Sequence, residues 1–177
     1  ASNSTAVGYQ ALTANTTGAT NTAFGKGALL ANTTGNTNVA VGANALAANV
    51  DGDKSVAVGV NALAAQDPAS NVDMYNVAVG DSAGKSVTTG LYNTLIGGLA
   101  GDALTTGGSN VALGTSALSL DTAGSRSIAI GSDALASQNF TSATNAYNTA
   151  VGDSAGKLIS TGTTNTLIGG LAGDAIT

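Results

Sequence analysis

The run Gly80-Asp81-Ser82-Ala83-Gly84-Lys85-Ser86 is the stretch that most resembles a phosphate loop. That chemistry needs four residues between the glycines, then Gly-Lys-Ser/Thr, so that backbone amides cradle phosphate and the hydroxyl reaches magnesium. Here three residues separate Gly80 from Gly84, and the sister copy ends Gly156-Lys157-Leu158, without the hydroxyl. Both read as drift within a repeat. Asp51-Gly52-Asp53 offers two carboxylates to calcium, but the chain has no Glu and no further acid nearby to complete a calcium loop. It reads as a solvated turn. With no His and no Cys, imidazole and thiolate metal sites and the usual nucleophile–base pairs have no residues to use. A paired-carboxylate hydrolase would have to draw on Asp residues that fall at repeat-related turns. The expectation is therefore a protein that is not an enzyme, with no catalytic residue, cofactor or metal.

Large side chains are the other chemical resource, and they are scarce: aromatic residues make up 3% of the chain. Met74, Tyr75, Phe140 and Tyr147 lie in two corresponding connections, 66–75 and 138–147. Loops on a rigid scaffold commonly carry recognition, and aromatic residues dominate contact energy. These four are the candidate surface-recognition residues. The competing expectation is that Tyr75 and Tyr147 only cap an edge where an extra bend exposes apolar surface.

What positions them is a repeat. The glycines Gly8, Gly25, Gly42, Gly59, Gly80, Gly97, Gly114, Gly131, Gly152 and Gly169 follow one another in steps of 17 residues, with two steps of 21. Each stands at the centre of the same pattern, as in Asn38-Val39-Ala40-Val41-Gly42-Ala43-Asn44-Ala45-Leu46. Four units make a 72-residue block, spanning 4–75, 76–147 and a partial 148–177, and 93–103 returns letter for letter as 165–175. Residues 1–177 read as one repeat array, a slice of a longer fibre. A fixed short period is the signature of a solenoid.

Composition points the same way. The apolar 43% is mostly Ala, Val, Leu and Ile, which fill only a narrow interior. Glycine every few residues excludes helix, and Thr, Asn and Val favour strands and turns. The fold class expected is all-β: a parallel β-solenoid of ten stacked coils of 17 or 21 residues, each with two short strands and two turns. Neighbouring coils would lie ~4.8 Å apart. The ten repeat glycines should sit at positive φ or against crowded backbone. Asn3, Asn21, Asn38, Asn76, Asn93, Asn110, Asn148 and Asn165 open the units, with Ser55 and Ser127 as exceptions, and should stack as a hydrogen-bonded ladder.

Strand parity adds an expectation about assembly. In Val56-Ala57-Val58 the valines share one face and Ala57 takes the other. Read as a second strand, the neighbouring Ala-Leu pair also splits between faces. Val41, Val58, Val79 and Ile130 would then form one buried ladder, and the coil's second apolar face would be covered by further copies of the chain. The net charge of −5 argues against nucleic acid and anionic membrane as partners, and no apolar run is long enough to span a bilayer. No signal peptide is evident.

The repeated Asn-x-Ala-Val/Ile-Gly-x-x-Ala-Leu resembles the head repeats of trimeric autotransporter adhesins (the YadA-like head) and the repeat arrays of phage tail fibres. The resemblance covers nearly the whole chain. It implies a left-handed β-roll, three parallel chains around one axis, an extracellular place on a cell surface or virion, and attachment to a surface or host-cell receptor, protein or glycan. Adhesin head repeats are shorter than these units, so the coil here has a larger turn. An ice-binding solenoid is the alternative, on the pairs Thr16-Thr17, Thr33-Thr34, Thr88-Thr89 and Thr105-Thr106. A purely structural filament without a receptor is the other.

Overall fold

The computed structural model describes residues 3–175; the outermost residues of the array, 1–2 and 176–177, lie outside it. The chain is an all-β parallel solenoid of about ten coils, with no helix among the described residues. Ten three-residue strands form one parallel sheet in the order β1 (Thr5–Val7), β2 (Thr22–Phe24), β3 (Val39–Val41), β4 (Val56–Val58), β5 (Val77–Val79), β6 (Thr94–Ile96), β7 (Val111–Leu113), β9 (Ile128–Ile130), β11 (Thr149–Val151) and β12 (Thr166–Ile168). Between them come β8 (Gly124–Ser125) and β10 (Thr144–Asn145), which pair with each other. Register is uniform: Ala40 stands on Ala57, Ala57 on Ala78, and Ala78 on Leu95. Coils are numbered here from the residue before each main-sheet strand, so coil 3 opens at Asn38 and coil 6 at Asn93.

The repeat glycines hold the coil to its corner. All ten have φ between +126° and +141°. At Gly25 an added Cβ would sit 2.5 Å from the Gly42 carbonyl oxygen, so the left-handed corner of one coil leaves no room for a side chain beneath the next. The equivalent carbonyl crowds each of these glycines from Gly8 to Gly152.

No second strand follows. The Ala-Leu segment is a run of tight turns: Ala45 N donates to Gly42 O, and Asn49 N to Leu46 O. Leu29, Leu46, Leu63, Leu118 and Leu135 all have positive φ, between 49° and 57°. Alternation of faces holds only for extended backbone. The left-handed turn swings Leu46 to the same side as Ala45, and both are fully buried. A left-handed non-glycine residue costs about 1–2 kcal/mol, and burial of the leucine contributes roughly 1.5–3 kcal/mol in return. The amide of Leu46 also bonds Ala62 O of the next coil at 3.0 Å.

The parity expectation is corrected accordingly. The inward residue of each main strand is the middle one: Ala23, Ala40, Ala57, Ala78, Leu95, Ala112, Ala129 and Ala150 are all fully buried. Val41, Val58, Val79 and Ile130 do lie on one ladder in register, but it faces outward, and Val79 is 36% exposed. The second apolar face is thus the outer face of the strands alone.

The asparagine column is a set of clamps between coils. Asn38 Oδ1 accepts the Ser55 amide at 2.9 Å, and its Nδ2 donates to Gly52 O at 2.7 Å. Asn21, Asn93 and Asn110 repeat the pattern. In coil 1 the column begins at Ser4, whose Oγ accepts the Asn21 amide; Asn3 falls one position earlier, at a left-handed corner with φ 59°. Where Ser55 and Ser127 interrupt the column, buried Gln66 and Gln138 reach in from the long connections. Each exchanges hydrogen bonds with its serine and accepts from the next asparagine, Asn76 or Asn148.

Candidate functional site

The two long connections return to the coil before them. Asp53 bridges Asp73 in parallel, and β8 pairs with β10. Each connection therefore stands out from the same wall of the rod while its far end rejoins the stack. Four coils separate them, roughly 19 Å at ~4.8 Å per coil. Coils 5, 6 and 7 form the saddle between.

Of the four proposed recognition residues, the structure exposes two. Met74 is fully buried and Phe140 is nearly so, corrections to their assignment as surface groups. Met74 packs against Gly52, where an added Cβ would meet its Cγ at 3.2 Å, and the Met74 amide bonds Asp53 O. Tyr75 and Tyr147 are exposed, at 46% and 52%.

Those two tyrosines belong to a column that sequence reasoning missed. The residue just before each clamp residue, at Lys54, Tyr75, Tyr92, Ser109, Arg126 and Tyr147, always has positive φ, from 50° to 64°. The left-handed corner turns its side chain outward. Three of the chain's four tyrosines and its single arginine stand in this column. Tyr75 and Tyr92 stack, with centroids 5.8 Å apart and planes 14° from parallel. Lys54 Nζ lies 5.2 Å from the Tyr75 ring centre, and the Arg126 guanidinium 5.7 Å from that of Tyr147, both within cation–π range.

The connections fix the ends of this stripe. Lys54 Nζ donates to Asp73 Oδ2 at 2.7 Å and to the Tyr75 hydroxyl at 3.2 Å. The bond to Asp73, then that to Tyr75, raises the Lys54 pKa, and Lys54 in turn lowers that of Asp73. Arg126 Nε donates to Asn145 Oδ1 at 3.1 Å. Between the two ends lies an open groove of about 290 Å³. Tyr92 forms one side, Arg126 and Asn145 the other, with Gly108 and Ser109 as floor and Thr106 on the flank. A Cβ on Gly108 would fall 2.8 Å from Leu91 O, so the floor stays low.

The other suggestive motifs have places in the coil. Gly80 is a corner glycine, while Gly84 occupies the position of Leu46, where an added Cβ would meet Leu95 Cδ1 at 2.6 Å. The carboxylates of Asp51 and Asp53 are engaged by the preceding coil: Thr34 Oγ1 donates to Asp51, and the Asn36 amide donates to Asp53 at 2.6 Å. The first threonine of each pair is engaged too. Thr88 and Thr105 donate their hydroxyls to Thr105 O and Thr122 O of the next coil, which removes those donors from any regular outward array. Comparison with protein-family models, curated proteins and solved structures found no match.

Proposed function

We propose that this chain is a structural and adhesive segment of a trimeric fibre that attaches to a surface or host cell outside the cell that makes it, as a bacterial adhesin head or a phage tail fibre. The observation that carries this is the outward ladder Val7, Phe24, Val41, Val58, Val79, Ile96, Leu113, Ile130, Val151 and Ile168. It is apolar at every coil and open to solvent along the single chain, with Phe24 56% exposed. Soluble monomers rarely leave so continuous an apolar stripe uncovered. A stripe parallel to the rod is buried most simply by parallel copies about a shared axis, where equal coils meet. At ~25 cal/mol per Å², covering the exposed part of a ladder valine such as Val79, 36% exposed, contributes on the order of 1 kcal/mol per coil.

The resemblance of the repeat supplies the number three and the left-handed β-roll, while the spacing of the repeat glycines supplies coils of 17 or 21 residues. The role is binding and support rather than catalysis. The tyrosine stripe is presented by the wall carrying the long connections, not by the strand wall. Sedimentation is expected to give a trimer at micromolar concentration; a folded monomer there would refute the assembly. Val79→Asp places its charge on the outer face, so it should yield a folded monomer with an unchanged circular dichroism spectrum.

A further inference from the structure

We propose that the groove between Tyr92 and Arg126 binds an acidic saccharide, one sugar ring bearing a carboxylate. The inference deepens the adhesive half of the function proposed above and does not need the trimer, since every residue of the groove comes from one chain.

Three features select this ligand. Tyr92 is 55% exposed, and its ring is backed by Tyr75 at 5.8 Å, a stiff flat platform on which the C–H face of a pyranose can lie. The flank and floor carry hydroxyl groups at Thr106 and Ser109, and Asn145 stands opposite, held by Arg126. These suit a ligand rich in hydroxyls and offer no deep apolar hole for a peptide side chain. The charge is also local. The chain carries a net −5, yet its only arginine lines the groove and none of the lining residues is acidic. The guanidinium fork is matched to a carboxylate. The volume of about 290 Å³ is at the small end for ligand sites, which fits one ring with its neighbours left in solvent.

The test is titration of the whole chain with methyl glucuronide and with methyl glucoside, which differ only in the carboxylate. Binding is read from tyrosine ring signals by NMR, aided by the absence of tryptophan from the chain. Glucuronide should perturb the ring signals assigned to Tyr92. Tyr92→Ala should weaken glucuronide binding by about tenfold or more. Arg126→Gln should leave glucuronide binding no better than glucoside, with the circular dichroism spectrum of both variants that of the unaltered fold. Absence of binding by either sugar, binding unaltered by both variants, or saturation of the groove by an acidic peptide in preference to glucuronide would each overturn the inference. Sedimentation of the same samples separates this from assembly. A trimer with a silent groove refutes the saccharide alone, and a folded monomer that binds glucuronide through Tyr92 refutes the trimer alone.

Discussion

Coils 3 and 6 enclose the same interior with different side chains. In coil 3 the strand contributes Ala40, the turn Leu46, and the next corner Asn49, all fully buried. In coil 6 the same places hold Leu95, Gly101 and Leu104. A Cβ on Gly101 would meet Leu95 Cδ2 at 2.8 Å and Leu104 Cδ1 at 2.9 Å. Leu95 and Leu104 thus occupy the space of the missing leucine. Leu95 also reaches down over Gly84 of coil 5, where Val87 takes the corner. What the stack holds constant is filled volume shared between neighbouring coils, not the residue at any one place.

Polarity follows the same exchange. Where the turn carries Leu, the corner can be polar, and polar corners bond one another: Asn32 Nδ2 to Asn15 Oδ1 at 2.9 Å, Asn49 to Asn32 at 3.3 Å, and Gln66 to Asn49 at 3.0 Å. The run stops at Val87 and Leu104, where the turn is glycine, and restarts at Asp121 and Gln138. An isolated polar corner would be a buried group without a partner.

The largest effect should come from Leu95→Ala. It empties space beside two glycines that cannot collapse into it, and should cost about 2–5 kcal/mol. Gly84→Leu alone overpacks against Leu95 and Leu63 and should cost about 1–3 kcal/mol. The double variant moves coil 5 toward the coil 3 pattern. Denaturant melts at fixed protein concentration should show it more stable than the sum of the single changes by about 0.5–3 kcal/mol. Strict additivity would refute the exchange of volume between coils.

The polar run offers a smaller contrast. Gln138 Nε2 bonds Asp121 Oδ2 at 2.7 Å, whereas its counterpart Gln66 bonds the neutral amide of Asn49 at 3.0 Å. Both glutamines also serve a serine and an asparagine. Gln138→Leu strips a donor from a fully buried carboxylate, which keeps only the amides of Gly124 and Phe140. It should cost about 1.5–3 kcal/mol. Gln66→Leu should cost less, about 1 kcal/mol. Equal losses in thermal melts would mean that the carboxylate plays no special part.

The period, the strands and the corner glycines were legible in the sequence because each depends on a residue that recurs at its own position. Gly42 can be read alone, since its φ of +133° belongs to its own backbone. The turn at Ala45-Leu46 reads as a strand in sequence because face alternation presumes extended backbone, and leucine carries no mark of a left-handed conformation. Tyr92 and Arg126 lie outside the long connections, in the column before each clamp residue, so loop length does not point to them. That signal is present in the letters: Tyr75-Asn76, Tyr92-Asn93 and Tyr147-Asn148 share it. Met74 and Phe140 look like loop-tip groups in sequence. Their burial follows from the way each connection doubles back, set by the pairings of Asp53 with Asp73 and of β8 with β10.

Asp102 gives the finest test of how the glycine-type coils differ from the others. It occupies the place of Ala47 in coil 6, directly after Gly101. Among the described residues its Oδ1 is the buried side-chain oxygen left without a hydrogen-bond partner. Burial raises its pKa, while the backbone amides of Asp102 and Ala103 and the charge of Lys85 act in the opposite direction and only partly offset it. A carboxyl whose pKa is higher in the folded than in the unfolded chain binds more protons when folded, so acid favours the fold. The penalty is fully present above the folded pKa and vanishes below the unfolded value of about 3.9. Asp102→Asn removes the titration. It should raise the melting temperature at neutral pH by about 1–3 °C, in keeping with a partly exposed group. The advantage over the unaltered chain should shrink as pH falls through the folded pKa toward about 4. A pH-independent difference between the two melting curves would show that packing beside Gly101, and not the buried charge, sets the cost at this position.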